Sequence, residues 1–311
     1  MVQQGSIQII VNPTSGGRSG RHLISQLTPR LRAAGYAVGT FMTTGPGDAS
    51  RFAAALPVMP KQIIVVVGGD GTVREVATSL TGPEMPLIIY PMGTENLVAR
   101  YFQMKRDFDA LLERLRRGEA FQVDVGQVRL ASQRVERFIL VAGIGFDAEV
   151  VRRLVASRRG HISHQDYFWP IWRTFWGYHH PKLSIETDDG AVFQGCGMAF
   201  VGNIPRYAVG LKIVPRAHPQ DGKLDVCALS CSRRSTLLRH AFNVLLGRHA
   251  ETSGVTYRQA TRIAVTSRDR VAVQLDGDWL APLESEDGAM NPEFTLTGSR
   301  VSFLVAPGWR P

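Results

Sequence analysis

The chain has 311 residues, 44% of them hydrophobic, enough for a substantial core and most simply divided between two domains. No run reaches ~18 uninterrupted apolar residues, which argues against a membrane-spanning helix, and Met1-Val2-Gln3-Gln4-Gly5 lacks the basic start and apolar block of a secretory signal. The formal charge of +9 points to an anionic partner, either nucleotide phosphates or an anionic membrane face, since no nucleic-acid motif is present.

In chain order, residues 7–11 are strand-like and 12–20 form a Gly/Ser/Pro loop. Residues 21–34 have a helical pattern with Leu23, Leu27, Leu31 and Ala34 on one side. Pro29 falls inside that pattern and is expected to kink or split it. Strands follow at 38–42, 63–67 and 87–90, with helices at 48–56, 95–101 and 108–117. After Thr72, the spacing of Val73, Val76, Ala77 and Leu80 predicts another amphipathic helix. Repeated β-then-α segments predict a parallel sheet with helices on its faces.

Beyond about residue 120 short runs separated by turn residues dominate: 183–186, 191–194, 198–201, 224–229, 262–266, 271–275, 294–297 and 301–305. Helical insertions are expected around 147–159 and 233–246. This half reads as a β-sandwich or barrel-like domain. Cys196, Cys227 and Cys231 are too few for a disulfide framework and suit a reducing cytoplasm, and no His or Cys pair completes a zinc set.

Three loops share one design. Asn12-Pro13-Thr14-Ser15-Gly16-Gly17 follows the first strand, Gly68-Gly69-Asp70-Gly71-Thr72 the third, and Pro91-Met92-Gly93-Thr94-Glu95-Asn96 the fourth. In a parallel sheet all three lie at the carboxyl edge, where ligands bind in open α/β folds. Glycines at a strand-to-helix turn let a phosphate approach backbone N–H groups, and Asp70 suits a divalent cation that accompanies it. A Walker A sequence is absent. Gly143-Ile144-Gly145-Phe146-Asp147-Ala148 fits G-x-G-x-x-A but sits at the junction with the β-rich half, outside a βαβ unit, and is not read as a dinucleotide site.

Residues 167–178 hold seven aromatics, including Trp169, Trp172 and Trp176 at spacings of three and four. They read either as a helix face packed into the second domain or as an interfacial segment that meets lipid, with Arg152, Arg153, Arg158, Arg159, Arg173 and Lys182 nearby.

Asn12-Pro13-x-Ser15-Gly16, Gly68-Gly69-Asp70-Gly71-Thr72 and Pro91-x-Gly93-Thr94-x-Asn96 resemble the signature of the diacylglycerol kinase catalytic domain family, which also holds sphingosine and ceramide kinases and soluble bacterial lipid kinases. The likeness runs on through Gly143-Ile144-Gly145-Phe146-Asp147-Ala148, Gly202-Asn203, Asp221-Gly222-Lys223-Leu224-Asp225-Val226 and Asp276-Gly277-Asp278. It implies an α/β N-terminal nucleotide-binding domain with a parallel sheet (1–130, with 299–311 returning to it), followed by a β-sandwich C-terminal domain (131–298) that binds lipid and metal. The active site would lie in the cleft between them.

By the same resemblance ATP is held by Asn12, Pro13, Thr14, Ser15 and Gly16, by Gly68, Gly69, Asp70, Gly71 and Thr72, and by Thr94 and Asn96, with Thr43 a further contact. Mg²⁺ is held by Asp221 and the backbone carbonyls of His218 and Lys223. The general base is Asp278, where bacterial lipid kinases usually carry Glu, or Asp70. Leu97-Val98-Ala99-Arg100 departs from the Asp-Phe-Ala of many members, and Tyr207-Ala208-Val209-Gly210 replaces a more glycine-rich stretch, which leaves the acceptor open. The expected activity is transfer of the γ-phosphate of ATP to a lipid hydroxyl, most simply that of diacylglycerol, by a cytoplasmic protein at an anionic membrane surface. A homodimer is compatible with this. The alternatives are a kinase of a sphingoid base, ceramide or phosphatidylglycerol, an NAD kinase, and a nucleotide-responsive lipid-binding protein with weak turnover.

Overall fold

The apolar runs of the first third form one parallel sheet. The computed structural model describes residues 5–16, 20–80, 82–130, 132–156, 164–280 and 291–311, so Gly17, Arg158 and Arg159 lie outside the described residues. The chain divides into two units, Met1–Val123 with Ser299–Pro311, and Asp124–Gly298.

In the first unit the elements are β1 (Ser6–Val11), α1 (Gly20–Ala33), β2 (Ala37–Met42), α2 (Asp48–Ala54), β3 (Gln62–Gly68), α3 (Asp70–Ser79), β4 (Leu87–Pro91), α4 (Leu97–Tyr101) and α5 (Phe108–Arg117). β1 pairs in parallel with β2 and β3, and β3 with β4. Beyond β4, Phe303 of the chain's last strand pairs in parallel with Leu87. Ile64, Val65, Val66 and Val67 are completely buried, the signature of a central parallel strand covered on both faces. Each such side chain contributes about 1.5–3 kcal/mol of transfer free energy. β2, at the edge, is largely exposed.

α1 buries Leu23, Leu27 and Leu31 and is not split at Pro29. That residue is exposed, so the carbonyl its ring displaces can turn to water. α3 starts at Asp70, with Gly69 as its N-cap, which makes Asp70, Gly71 and Thr72 its first turn. An aromatic cluster ties the returning segment to this unit: Phe303 stacks on Phe102 at 4.7 Å, and Trp309 lies 5.2 Å from Phe102 and 4.9 Å from Phe121.

The second unit is a sandwich. Its elements are β5 (Glu119–Arg129), β6 (Val135–Phe138), β7 (Val141–Ile144), α6 (Phe146–Ala156), α7 (Phe168–Gly177), β8 (Lys182–Thr187), β9 (Gly190–Gly202), β10 (Leu224–Ser230), α8 (Arg234–Leu245), β11 (Val255–Ala260), β12 (Arg262–Thr266), β13 (Val273–Leu275), β14 (Asp278–Leu280) and β15 (Glu293–Val305). The division between units falls inside β5 and inside β15. One layer runs β14-β13-β7-β9-β10-β11 and the other β9-β8-β12-β15-β5-β6. β9 serves both, pairing with β8 up to Cys196 and with β10 from Gly197 onward. Between the layers lie Phe138, Ile185, Val201, Val226, Val265, Leu275 and Phe294, all buried.

Candidate functional site

The three glycine loops begin at one edge of the first unit's sheet, held in step by ladder bonds. Thr43 N donates to Val11 O at 2.8 Å, Asn12 N to Val67 O at 3.0 Å, and Met92 N to Gly68 O at 2.9 Å. Asn12 links two of the loops: its Nδ2 donates to Thr72 Oγ1 at 3.1 Å, while its Oδ1 accepts from Thr14 N and Thr14 Oγ1 at 3.0 and 2.7 Å. Gly16 has φ +68, and a Cβ there would sit 2.2 Å from Met92 O. Gly69 and Gly93 face each other closely enough that a Cβ on Gly93 would meet Gly69 Cα at 2.7 Å. Loop contact of this kind requires glycine. Gly16→Ala is therefore expected to destabilise the protein by about 1–3 kcal/mol through strain and overlap, read as a lower denaturation midpoint.

Asp70 closes the arrangement. Its Oδ2 accepts from Leu97 N at 2.9 Å and its Oδ1 from Val98 N at 3.2 Å, so the carboxylate caps the first turn of α4. Burial pushes its pKa up, and the two amide bonds pull it down. Asn96 sits at φ 49, and its side chain both accepts from Gly93 N at 2.8 Å and donates to Gly93 O at 2.6 Å. Thr43 and Thr72 are buried, Thr94 is half-buried, and Ser15 lies in the turn after β1, its N donating to Asn12 O at 3.2 Å. The structure thus brings together Asn12, Pro13, Thr14, Ser15, Gly16, Thr43, Gly68, Gly69, Asp70, Gly71, Thr72, Thr94 and Asn96 at or beside a single sheet edge. The first amides of α3 point outward without an intrahelical acceptor, which suits an anion.

In the second unit, Asp221, Gly222 and Lys223 form an exposed bend leading into β10, not a two-residue hairpin. Asp221 Oδ1 accepts from Lys223 N at 3.0 Å and its Oδ2 from Gln259 Nε2 at 3.2 Å, while Asp221 N donates to His218 O at 3.3 Å. Two carboxylates that sequence reasoning did not select support this bend. Asp124, buried, accepts from Gly222 N at 3.0 Å. Asp225, fully buried, accepts from Tyr257 Oη at 2.6 Å and from the same Gln259 amide at 3.2 Å. Burial pushes the Asp225 carboxyl up, and the nearby charge of Asp221 adds to the shift.

Asp276-Gly277 is the two-residue loop of the β13–β14 hairpin, where Leu275 pairs with Asp278. Both loop residues have positive φ, 52 and 88, the conformation for which Asp-Gly is favoured. Asp276 is buried and accepts from Ile139 N, Leu140 N and Val141 N at 2.8, 2.8 and 3.0 Å. Asp278, next along, is exposed. The G-x-G-x-x-A stretch begins within β7, which is antiparallel to both its neighbours, and runs into α6. Its Asp147 accepts from Gln274 Nε2 at 3.1 Å and from Tyr207 Oη in a very short bond. Gln274 Oε1 in turn accepts from Gly277 N at 2.7 Å. A buried glutamine in an otherwise apolar strand was the available sequence signal for this network.

Burial pushes the Asp147 carboxyl up to about 7, against the opposing Gln274 bond. The native state then holds a proton that the unfolded chain has lost above its ordinary value of 3.8, so this group's contribution to stability falls as pH rises from about 4 to about 7 and levels off beyond. Asp147→Asn is expected to flatten that slope, with its advantage in melting temperature growing between about pH 4 and 7 and constant above.

Three glycine loops at one edge of a parallel sheet, in one chain with an antiparallel sandwich, frame the candidate site. Residues 6–128 match the family described as the diacylglycerol kinase catalytic domain, and residues 140–294 match the YegS C-terminal NAD kinase beta sandwich-like domain. The chain is 28% identical over 283 residues to a diacylglycerol kinase of Bacillus subtilis, covering 90% of this chain and 91% of that protein. It is 27% identical over 287 residues to a diacylglycerol kinase of Mycobacterium tuberculosis, covering 92% and 93%. The crystal structure of a diacylglycerol kinase from Bacillus anthracis shares the fold at a TM-score of 0.64 and 19% identity, with 97% of each chain covered. Another Bacillus anthracis crystal structure reaches 0.74 at 19% identity over 98% of each. Residues 6–128 are thus a diacylglycerol kinase catalytic domain, and the chain is an ATP-dependent lipid kinase. Among the described residues no helix is long and apolar enough to cross a membrane.

Proposed function

We propose that the acceptor is the free hydroxyl of diacylglycerol, the lipid named in both relatives. The observation that carries this reading is the convergence of the loops around Asn12, Asp70 and Gly93 on one edge of the parallel sheet. In this reading Asn12, Pro13, Thr14, Ser15 and Gly16, the loop 68–72, Thr43, Thr94 and Asn96 hold ATP. The amides at the start of α3 face its phosphates. Positioning the phosphoryl group and spreading its charge do most of the work of in-line transfer.

Asp278 is the proposed general base, taking the hydroxyl proton as the oxygen attacks. Its exposed place directly after the hairpin turn supports that role. Asp70 is assigned to positioning, because both its oxygens accept main-chain amides. Mg²⁺ would be held at the bend at Asp221 by the Asp221 carboxylate and the carbonyls of His218 and Lys223. The Asp225 carboxyl shares a Gln259 amide with Asp221, and a cation would relieve the repulsion between the two. Among the described residues no group of three or more His, Cys, Asp or Glu could hold a metal, so this site would rely on main-chain oxygens and water, as Mg²⁺ commonly does. When bound, the ion would supply positive charge to the phosphate-handling machinery. We place the protein in the cytoplasm, in peripheral contact with an anionic membrane.

The test is transfer of radiolabelled phosphate from ATP to a panel of diacylglycerol, sphingosine, ceramide, phosphatidylglycerol and NAD, read by mass spectrometry. A phosphatidic acid product is expected. Labelled NADP, which the description of the matched sandwich makes worth testing, would refute the lipid acceptor.

A further inference from the structure

In the second unit, α7 and α8 leave a broad aromatic and aliphatic surface uncovered. α7 buries Pro170 and Thr174, while Trp169, Trp172 and Trp176 are 64%, 48% and 50% exposed. Their spacing of three and four residues therefore marks a face turned to solvent, and the expectation of a stripe packed into the core is overturned. The rings lean on one another along the surface, Trp172 and Trp176 at 5.6 Å and Phe168 and Trp172 at 6.4 Å.

α8 has two apolar faces. Leu237 is buried, whereas Leu238, Phe242 and Leu245, at i, i+4 and i+7, are 58%, 61% and 67% exposed. Arg234 joins the two helices. Its Nε donates to Phe175 O at 3.2 Å and its Nη2 to Trp176 O at 2.5 Å, with the guanidinium 5.1 Å from the Trp176 ring.

The charge along the two helices themselves is positive, the nearest acids in sequence being Asp166 and Glu251 just outside them. Residues 167–185 and 226–250 contain no Asp or Glu, and Arg173, Arg233, Arg239 and Arg248 are exposed. Arg152 and Arg153 are not part of it, since both bond Glu149 at 2.6–2.7 Å. Large apolar side chains exposed along two neighbouring helices mark a candidate interaction site. Tryptophan rings beside unpaired-sign arginines match the boundary between headgroup and acyl chain of an anionic bilayer.

We propose that α7 and α8 form a membrane-docking platform. It seats Trp169, Trp172, Trp176, Phe242 and Leu245 in the interfacial layer, with Arg173, Arg233, Arg239 and Arg248 against lipid phosphates. The proposal rests on the lipid-kinase reading and says where the acceptor's bilayer is met.

The experiment is flotation of the full chain with phosphatidylcholine vesicles, with and without phosphatidylglycerol, paired with turnover on a short-chain diacylglycerol dispersed in water. The wild type is expected to float with the anionic vesicles. Trp172→Ser/Trp176→Ser and Phe242→Ser/Leu245→Ser are each expected to lower partitioning by about tenfold or more. Arg239→Gln/Arg248→Gln is expected to weaken binding only where phosphatidylglycerol is present. All three variants should keep wild-type turnover on the dispersed substrate, which also shows that they fold. Undiminished flotation of both apolar variants with normal turnover removes the platform and leaves the kinase reading standing. Flotation unchanged while a wild-type dimer dissociates in the variants assigns the face to a second copy of the chain and likewise overturns the proposal. Flotation that depends on this face, in a protein that phosphorylates no lipid, keeps the platform and removes the proposed acceptor.

Discussion

Asp70→Asn is expected to lower turnover by about 10²-fold, the cost of a small misplacement in a phosphoryl-transfer site, without moving the pH profile. The carboxylate accepts an amide on each oxygen, from Leu97 and Val98. Asparagine replaces one acceptor with an NH₂ group that meets an N–H donor to donor. The start of α4 must then shift, and with it the loop from Gly93 to Asn96, which is closed on itself by the Asn96 side chain. The lost cap costs about 1–2 kcal/mol of stability. A general base would behave differently: its removal would take ~10²–10⁴ from the rate and abolish the acidic limb of the profile. Asp278→Asn is expected to show that second pattern. Steady-state kcat and KM for ATP across pH separate the two roles, and exchanged behaviours of Asp70 and Asp278 would reverse the assignment.

Asp276→Ala is expected to destabilise the second unit by about 3–5 kcal/mol, because it strands three buried amide donors at once. Those donors belong to Ile139, Leu140 and Val141, at 2.8–3.0 Å from the carboxylate. Alanine also tolerates the positive φ of this position, 52, less well than Asp does. Against a total stability of ~5–15 kcal/mol this is a large share. The measurements are a denaturant midpoint and amide exchange at residues 139–141, both of which should show the loss. Asp276→Asn keeps one acceptor oxygen and should fall between wild type and alanine. A midpoint unchanged in the alanine variant would show that the amides find other acceptors.

The parallel sheet was readable because its strands are continuous apolar runs that end on glycine, as in Ile63-Ile64-Val65-Val66-Val67 before Gly68. Long strands in the sandwich were harder to read. β9 and β15 each continue through glycines, Gly195 and Gly197 in one and Gly298 in the other, so the hydrophobic pattern breaks where the ladder does not. β5 is likewise obscured by Asp124 and Gly126 inside its alternation of Phe121, Val123 and Val125.

Within the site, residue types at the sheet edge were legible and side-chain allegiances were not. Asp70 reads as a carboxylate inside a phosphate nest, yet its partners lie 27 and 28 residues downstream. Asp276 reads as one letter of a turn, yet it grips main chain about 136 residues away. Local spacing carries no information about such partners. The aromatic segment shows the same limit, since a three-and-four spacing gives a helix face without saying what covers it.

The last strand has a consequence for biosynthesis. Phe303 and Trp309 complete the aromatic cluster around Phe102, and Phe303 pairs beside Leu87 at the sheet margin. Both emerge from the ribosome only after the whole sandwich has been translated. The first unit therefore stays unfinished, with its β4 flank open to unwanted pairing, until the strand that also pairs β12 in the sandwich has been made.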